Sequence, residues 1–233
     1  MDIRHHFIEE GQGDPVIMLH GNGENSDYFQ KQIGVFAKKY HVYALDSRGH
    51  GNTPRGQKAF TIKQFADDLL AFMDDHHIKK AHLLGFSDGG NVAMVFAICH
   101  PDRVDHLILN GANMDPSGVK WSAQLPVEIG YRMAKIASMW SENARRKAEI
   151  LGLMVNDPHV RPDELKTIRA KTLVIAGTKD VIKENHTRKI AACIPGSRLV
   201  LIKGDHYIAF KKAKAFNRVV LNFLGKGKEI VHD

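Results

Sequence analysis

Cysteine is scarce: Cys99 and Cys193 are the only two in 233 residues. Both fall in stretches that read as helix, outside any C-x-x-C or C-x-x-H spacing. That excludes a disulfide framework and a thiolate metal centre. The two are expected to be reduced, buried thiols of a cytoplasmic protein. No apolar run approaches the roughly 20 residues that cross a bilayer, and the opening segment from Met1 to Phe7 lacks the apolar centre of a signal peptide. No membrane partner is therefore expected. The fourteen histidines include no H-E-x-x-H or other tight ligand set, so neither a metal nor a cofactor is expected.

Aromatic residues are also few, at 8%, and they do not interleave with basic ones. This bears on the net charge of +7, which would otherwise invite a nucleic-acid reading. Apart from Lys211, Lys212, Lys214 and a few residues of the C-terminal tail, the lysines are dispersed. Without a stacking platform beside a basic stripe, the charge reads as solvated surface, and no nucleic-acid partner is expected.

With 43% hydrophobic and 25% charged residues, the composition is that of an ordinary globular chain, long enough for one α/β domain and short for two. No linker, repeat or low-complexity tract divides it, so residues 1–233 are expected to form a single domain. Short apolar runs alternate with longer helical patterns, which predicts a largely parallel sheet covered on both faces. Strands are predicted at Ile3–Ile8 (an edge), Val16–Leu19, Val42–Leu45, His82–Phe86, Val104–Leu109, Thr172–Ala176 and Leu199–Ile202. Helices are predicted at Asn25–Lys39, after the cap Thr61, at Asn91–Cys99 and from about Tyr207 to Leu224.

The alternation lapses between about 113 and 163, where Pro126–Met139 and Ser141–Val155 read as two helices and no strand is predicted. A helical lid over a pocket has this form. The segment holds Trp121, Trp140, Met114, Met133, Met139 and Met154, each expected to pack the lid against the body.

Chemistry concentrates where predicted strands end. Gly85-Phe86-Ser87-Asp88-Gly89 is a G-x-S-x-G pattern, which places a serine on a tight strand-to-helix turn with small neighbours on either side. Serine needs a base to take its proton, and the base needs an acid to fix its tautomer. Asp180 and His206 each lie just beyond a predicted strand, and the carboxyl ends of parallel strands share one edge. Asp115 is a substitute acid, whereas Asp205 adjoins His206 and is poorly placed to turn toward it. Donors for an oxyanion are expected from the backbone N–H of Asp88 and from the loop His20-Gly21-Asn22-Gly23, with Asn22 the choice. The Asp88 carboxylate would favour substrates bearing a positive group, such as aminoacyl esters, unless it turns away and bonds locally.

These segments, together with Asp46-Ser47-Arg48-Gly49-His50-Gly51-Asn52-Thr53, resemble the α/β-hydrolase superfamily over nearly the whole chain, the lid excepted. Thr53 stands where the family commonly has serine. The resemblance implies the α/β-hydrolase fold, with Ser87 as nucleophile, His206 as base, Asp180 as orienting acid, and the Asn22 and Asp88 N–H groups as oxyanion hole. His20 and His50 are read as scaffold. The implied reaction is hydrolysis of small to medium carboxylic esters through an acyl-enzyme, the partner being a small acyl substrate. Thioesterase, amidase, perhydrolase and carbon–carbon bond hydrolase chemistry share the fold, as does a non-catalytic ligand-binding role.

Overall fold

A computed structural model describes residues 2–225. Seven strands form one sheet in the order β1-β3-β2-β4-β5-β6-β7. They are β1 (Phe7–Glu10), β2 (Pro15–Leu19), β3 (His41–Leu45), β4 (Ala81–Phe86), β5 (Val104–Asn110), β6 (Lys171–Gly177) and β7 (Arg198–Ile202). Only β1 runs antiparallel, along β3; every other pairing is parallel. The edge strand starts later than its alternation predicts, and Ile3 is instead buried ahead of it.

Helices α1 (Ile33–Phe36), α2 (Ile62–Asp75), α3 (Asp88–Cys99), α4 (Trp121–Ala137), α5 (Glu142–Asn156), α6 (Pro162–Leu165), α7 (Glu184–Cys193), α8 (Ile208–Lys211) and α9 (Ala213–Leu224) complete the described elements. Successive strand residues point to opposite faces, and the core divides accordingly. Ile17 and Leu19 pack with Phe65, Leu69 and Phe96 on one face. Val16 and Met18 pack with Phe29, Phe36, Phe216 and Val220 on the other. Both faces are therefore covered, as the central strands' continuous apolar runs require.

Two predicted helices are broken. Between 25 and 39 there is a 3-10 turn, Ser26–Phe29, and then the short α1. Asn25 caps the turn by accepting from the Asp27 N–H, the Ser26 N–H donates to Asp46 Oδ1 at 2.7 Å, and the interruption falls at residues 30–32. Phe29, Ile33 and Phe36 are nevertheless all buried, as their spacing demands. The C-terminal helix is divided at Lys212, whose φ of −123° and ψ of 35° lie outside helical values.

The segment between β5 and β6 folds as a helical hairpin of α4 and α5, with Ser141 capping α5 as predicted. Pro126 lies inside α4 rather than opening it, and as the sixth residue it leaves the Ser122 carbonyl without its usual N–H donor. The expected packing of its large side chains is corrected. Met114 is buried and Met154 lines a cavity, but Trp121, Met133, Met139 and Trp140 are exposed. Among the described residues nothing covers them. The cysteines also differ from expectation, since Cys99 is exposed and Cys193 half-buried. Each is the last residue of its helix, where the chain leaves the core.

Candidate active site

The turn after β4 is built by what its residues lack. A Cβ on Gly85 would run into the Gly89 carbonyl, and one on Gly89 into the carbonyls of Leu19 and His20. Strand and helix backbones meet there, and glycine alone permits it. Ser87 takes the strained conformation between them, with φ of +52° and ψ of −121°.

Ser87 Oγ lies 3.0 Å from His206 Nε2, and His206 Nδ1 lies 2.6 Å from Asp180 Oδ1. Three residues spread over three connections are thus joined at one sheet edge. Asp180 also accepts from the N–H groups of Ile182 at 3.0 Å and Gly177 at 3.3 Å. Burial alone would raise the Asp180 carboxyl, but the His206 contact and these donors hold it below the ordinary carboxylate value. It is therefore ionised, accepts from Nδ1–H and leaves Nε2 facing the serine.

The rival acids are engaged elsewhere. Asp115 caps a 3-10 turn by accepting from the Ser117 N–H and hydroxyl. Asp205 accepts from the Tyr207 N–H and from Lys211. His20 and His50 are buried scaffold: His20 Nδ1 faces the Gly21 carbonyl at 2.7 Å while Nε2 accepts from the Ser47 N–H at 2.9 Å. Burial, with His50 nearby, lowers His20 to about 4 and keeps it neutral.

Asp88 heads α3, so its N–H has no acceptor within the helix. Its carboxylate turns to local partners: Oδ2 accepts from Asn22 Nδ2 at 2.8 Å and Oδ1 from Asn91 Nδ2 at 3.1 Å. Asn22 Nδ2 also donates to the Ile150 carbonyl of α5 at 2.8 Å. The two loops expected to stabilise an oxyanion are thus joined through side chains, and both are joined to the hairpin. Thr53 is accommodated without loss, its hydroxyl donating to the Asp46 carbonyl and accepting from the His6 N–H.

The α/β hydrolase fold family matches residues 14–154. The chain belongs to it. The 2-hydroxy-6-oxononadienedioate/2-hydroxy-6-oxononatrienedioate hydrolase of Comamonas testosteroni is 28% identical, over 97% of this chain and 93% of that protein. Serine hydrolase BPHL of Homo sapiens is 27% identical, over 95% of this chain and 83% of its own length. Among solved structures, the enol-lactonase of Burkholderia xenovorans LB400 superposes with a TM-score of 0.77 at 23% identity, covering 95% and 96% of the two chains.

In this hydrolase Ser87 and His206 open onto a cavity of about 300 Å³. Phe86, Val119, Val127, Met154, Ile182 and Tyr207 give it a mainly apolar wall. Its ionisable side chains are Asp88, His206 and one residue that the motifs did not indicate, Glu24. Glu24 Oε2 accepts from the Gly21 N–H at 3.1 Å. Burial raises its carboxyl to about 7, against the opposing pull of that N–H and of His206. Nothing in its local sequence marks it, because the apolar wall comes from the distant hairpin. Asp88 is likewise raised by burial, to about 6, although the Asn22 and Asn91 amides oppose the shift. No lysine or arginine lines the cavity among the described residues.

Proposed function

We propose that this hydrolase cleaves carboxylic esters of small to medium acyl compounds through an acyl-enzyme on Ser87. The observation that carries the reading is the unbroken Ser87–His206–Asp180 relay opening on a mainly apolar cavity. Ser87 Oγ attacks the carbonyl carbon and its proton passes to His206 Nε2. The carbonyl oxygen, now negative, takes the N–H groups of Asn22 and Asp88. When the tetrahedral species collapses, the alcohol leaves with the proton from His206. Water then repeats the sequence on the acyl-enzyme, releasing the acid and restoring the serine. Asp180 stabilises the imidazolium in both halves. The α4–α5 hairpin serves as the lid of a single hydrolase domain.

Carbon–carbon bond hydrolysis is the second reading, supported by the similarity to the Comamonas testosteroni hydrolase. That relative's named substrates are dicarboxylates. The cavity here offers two carboxyl groups and no lysine or arginine among the described residues, which favours uncharged or amine-bearing esters over diacids.

A fluorophosphonate probe followed by a substrate panel tests both readings. Wild type should label at one site, with labelling lost in Ser87→Ala and reduced at least about 100-fold in His206→Ala. p-Nitrophenyl esters of rising chain length should turn over faster than their amide and thioester counterparts and faster than an oxo-dienedioate. An unlabelled wild type would instead favour a ligand-binding protein, and preferential cleavage of the oxo-dienedioate would favour the second reading.

A further inference from the structure

At the end of the sheet opposite Ser87, the pairing of β4 with β5 is irregular. Ala81 pairs with Val104 but Leu83 pairs with Leu107, so β5 carries one residue more than its partner across this interval. Consecutive residues of a regular strand point to opposite faces, and an extra residue re-aims them. Here Asp105 and His106 both approach His82. Asp105 Oδ2 lies 3.0 Å from His106 Nδ1 and 3.4 Å from His82 Nδ1.

His82 is only 6% exposed, and its Nδ1 is buried without a hydrogen-bond partner among the described residues. A buried ring nitrogen left in that state is uncommon and calls for an explanation. We propose that His82, Asp105 and His106 bind a divalent transition-metal ion, with zinc the best match.

Two imidazoles and a carboxylate are a ligand set suited to such ions. Ligand atoms about 2.0–2.1 Å from a tetrahedral zinc stand roughly 3.3 Å apart. The two measured separations bracket that value, and one ligand atom from each of the three residues lies within 4.8 Å of the other two. Tyr40 packs its ring edge-on to His82 at 5.7 Å, and Phe223 does the same to His106 at 5.3 Å, so both imidazoles are held in place. The competing cation is Lys80, 3.6 Å from Asp105 Oδ1; it is half-exposed and approaches the other carboxylate oxygen. Asp105 and His106 are partly exposed, which leaves the ion an entry path and a fourth position for water.

His82 precedes Ser87 by five residues along β4, about 16 Å at the usual strand rise. The ion therefore fastens the starts of β4 and β5 and takes no part in acyl chemistry.

The test uses the full chain, stripped with a chelator and titrated calorimetrically with zinc chloride alone. One equivalent should bind with a dissociation constant in the micromolar range or below. Asp105→Asn and His106→Gln, both at partly exposed positions, should each weaken it at least about tenfold. Zinc should raise the melting temperature of wild type but not of either variant, with fluorophosphonate labelling equal in all three. Binding as tight in both variants as in wild type would place the zinc on other histidines and overturn the proposal. So would the absence of stoichiometric binding to wild type at about 100 μM zinc.

Discussion

A carboxyl group set among apolar side chains gives up its proton late, and Glu24 is raised from 4.5 to about 7 for that reason. The sign of its effect on stability follows. Between those two values the folded chain holds a proton that the unfolded chain has lost, so stability falls as pH rises through the interval. Glu24→Gln keeps an oxygen for the Gly21 N–H and removes the titration. Its melting temperature should match wild type near pH 4 and exceed it at pH 8. The same charge acts on substrates. Above pH 7 the Glu24 carboxylate repels an acyl group bearing its own carboxylate, so wild type should increasingly prefer neutral esters as pH rises. In Glu24→Gln the Asp88 carboxyl, raised to about 6, still ionises in the cavity, so the preference should rise less than in wild type. Paired melts at pH 4 and pH 8, with kcat/KM ratios at pH 6 and pH 8, check the two effects, and parallel behaviour of the two proteins would reject the assignment.

At the scale of elements, α2 shows how a local signal survives folding. Thr61 has extended backbone angles and its side chain accepts from the Gln64 N–H, as its place before Ile62, Phe65, Leu69 and Phe72 predicts. Thr61→Ala should cost about 1 kcal/mol in urea denaturation, while Thr61→Ser should cost less; an unaffected Thr61→Ala would mean the cap is idle. The Ser87 turn was legible for a related reason, because its glycines answer a backbone crowding created by the turn itself. Asp180 and His206 were legible because parallel strands end together. The predicted helix at 25–39 is interrupted at residues 30–32, where Gln32 Nε2 donates to the Ala209 carbonyl and to Asn217 Oδ1, tertiary contacts that no local pattern carries. The Asn22–Asp88 bond was hidden for the same reason, since its partners come from separate connections, and Glu24 because the cavity wall beside it comes from distant segments. The hairpin's apolar residues misled differently. Hydrophobicity at helical spacing predicts burial only where another layer exists to bury it, and none among the described residues covers Trp121 and Met133 of α4 or Met139 and Trp140 beyond it.

At the scale of the whole molecule, the sheet separates chemistry from anchorage. The serine relay needs three connections to meet, and one buried cation holds together the region beside it. Arg48 is 0% exposed; its guanidinium donates to both oxygens of Asp68 on α2 at 2.7 Å and to both oxygens of Asp2 at 2.8 and 2.9 Å. A further bond reaches the Arg55 carbonyl at 3.0 Å. Arg55 in turn grips Glu149 of α5 through two bonds, of 2.8 and 2.6 Å, so the chain start, α2 and the hairpin share one polar network. Removing the arginine alone strands Asp68, itself 2% exposed, with the Gln64 amide as its remaining side-chain partner. A buried charge without its counterion is costlier than the pair was worth, so Arg48→Met should lose about 3–5 kcal/mol of unfolding free energy. Replacing Arg48 together with its buried partner, as Arg48→Met with Asp68→Leu, should recover a large part of that loss, because the carboxylate then left, Asp2, is partly exposed and still accepts from the Gln57 and Lys58 N–H groups. In the cold, where Arg48→Met is still folded, its Ser87 should label with fluorophosphonate as in wild type, since no bond of Arg48 reaches the relay. Urea melts of the single and double variants decide the matter: a single-variant cost under about 1 kcal/mol, or a double variant as unstable as the single, would mean that this arginine is not the anchor.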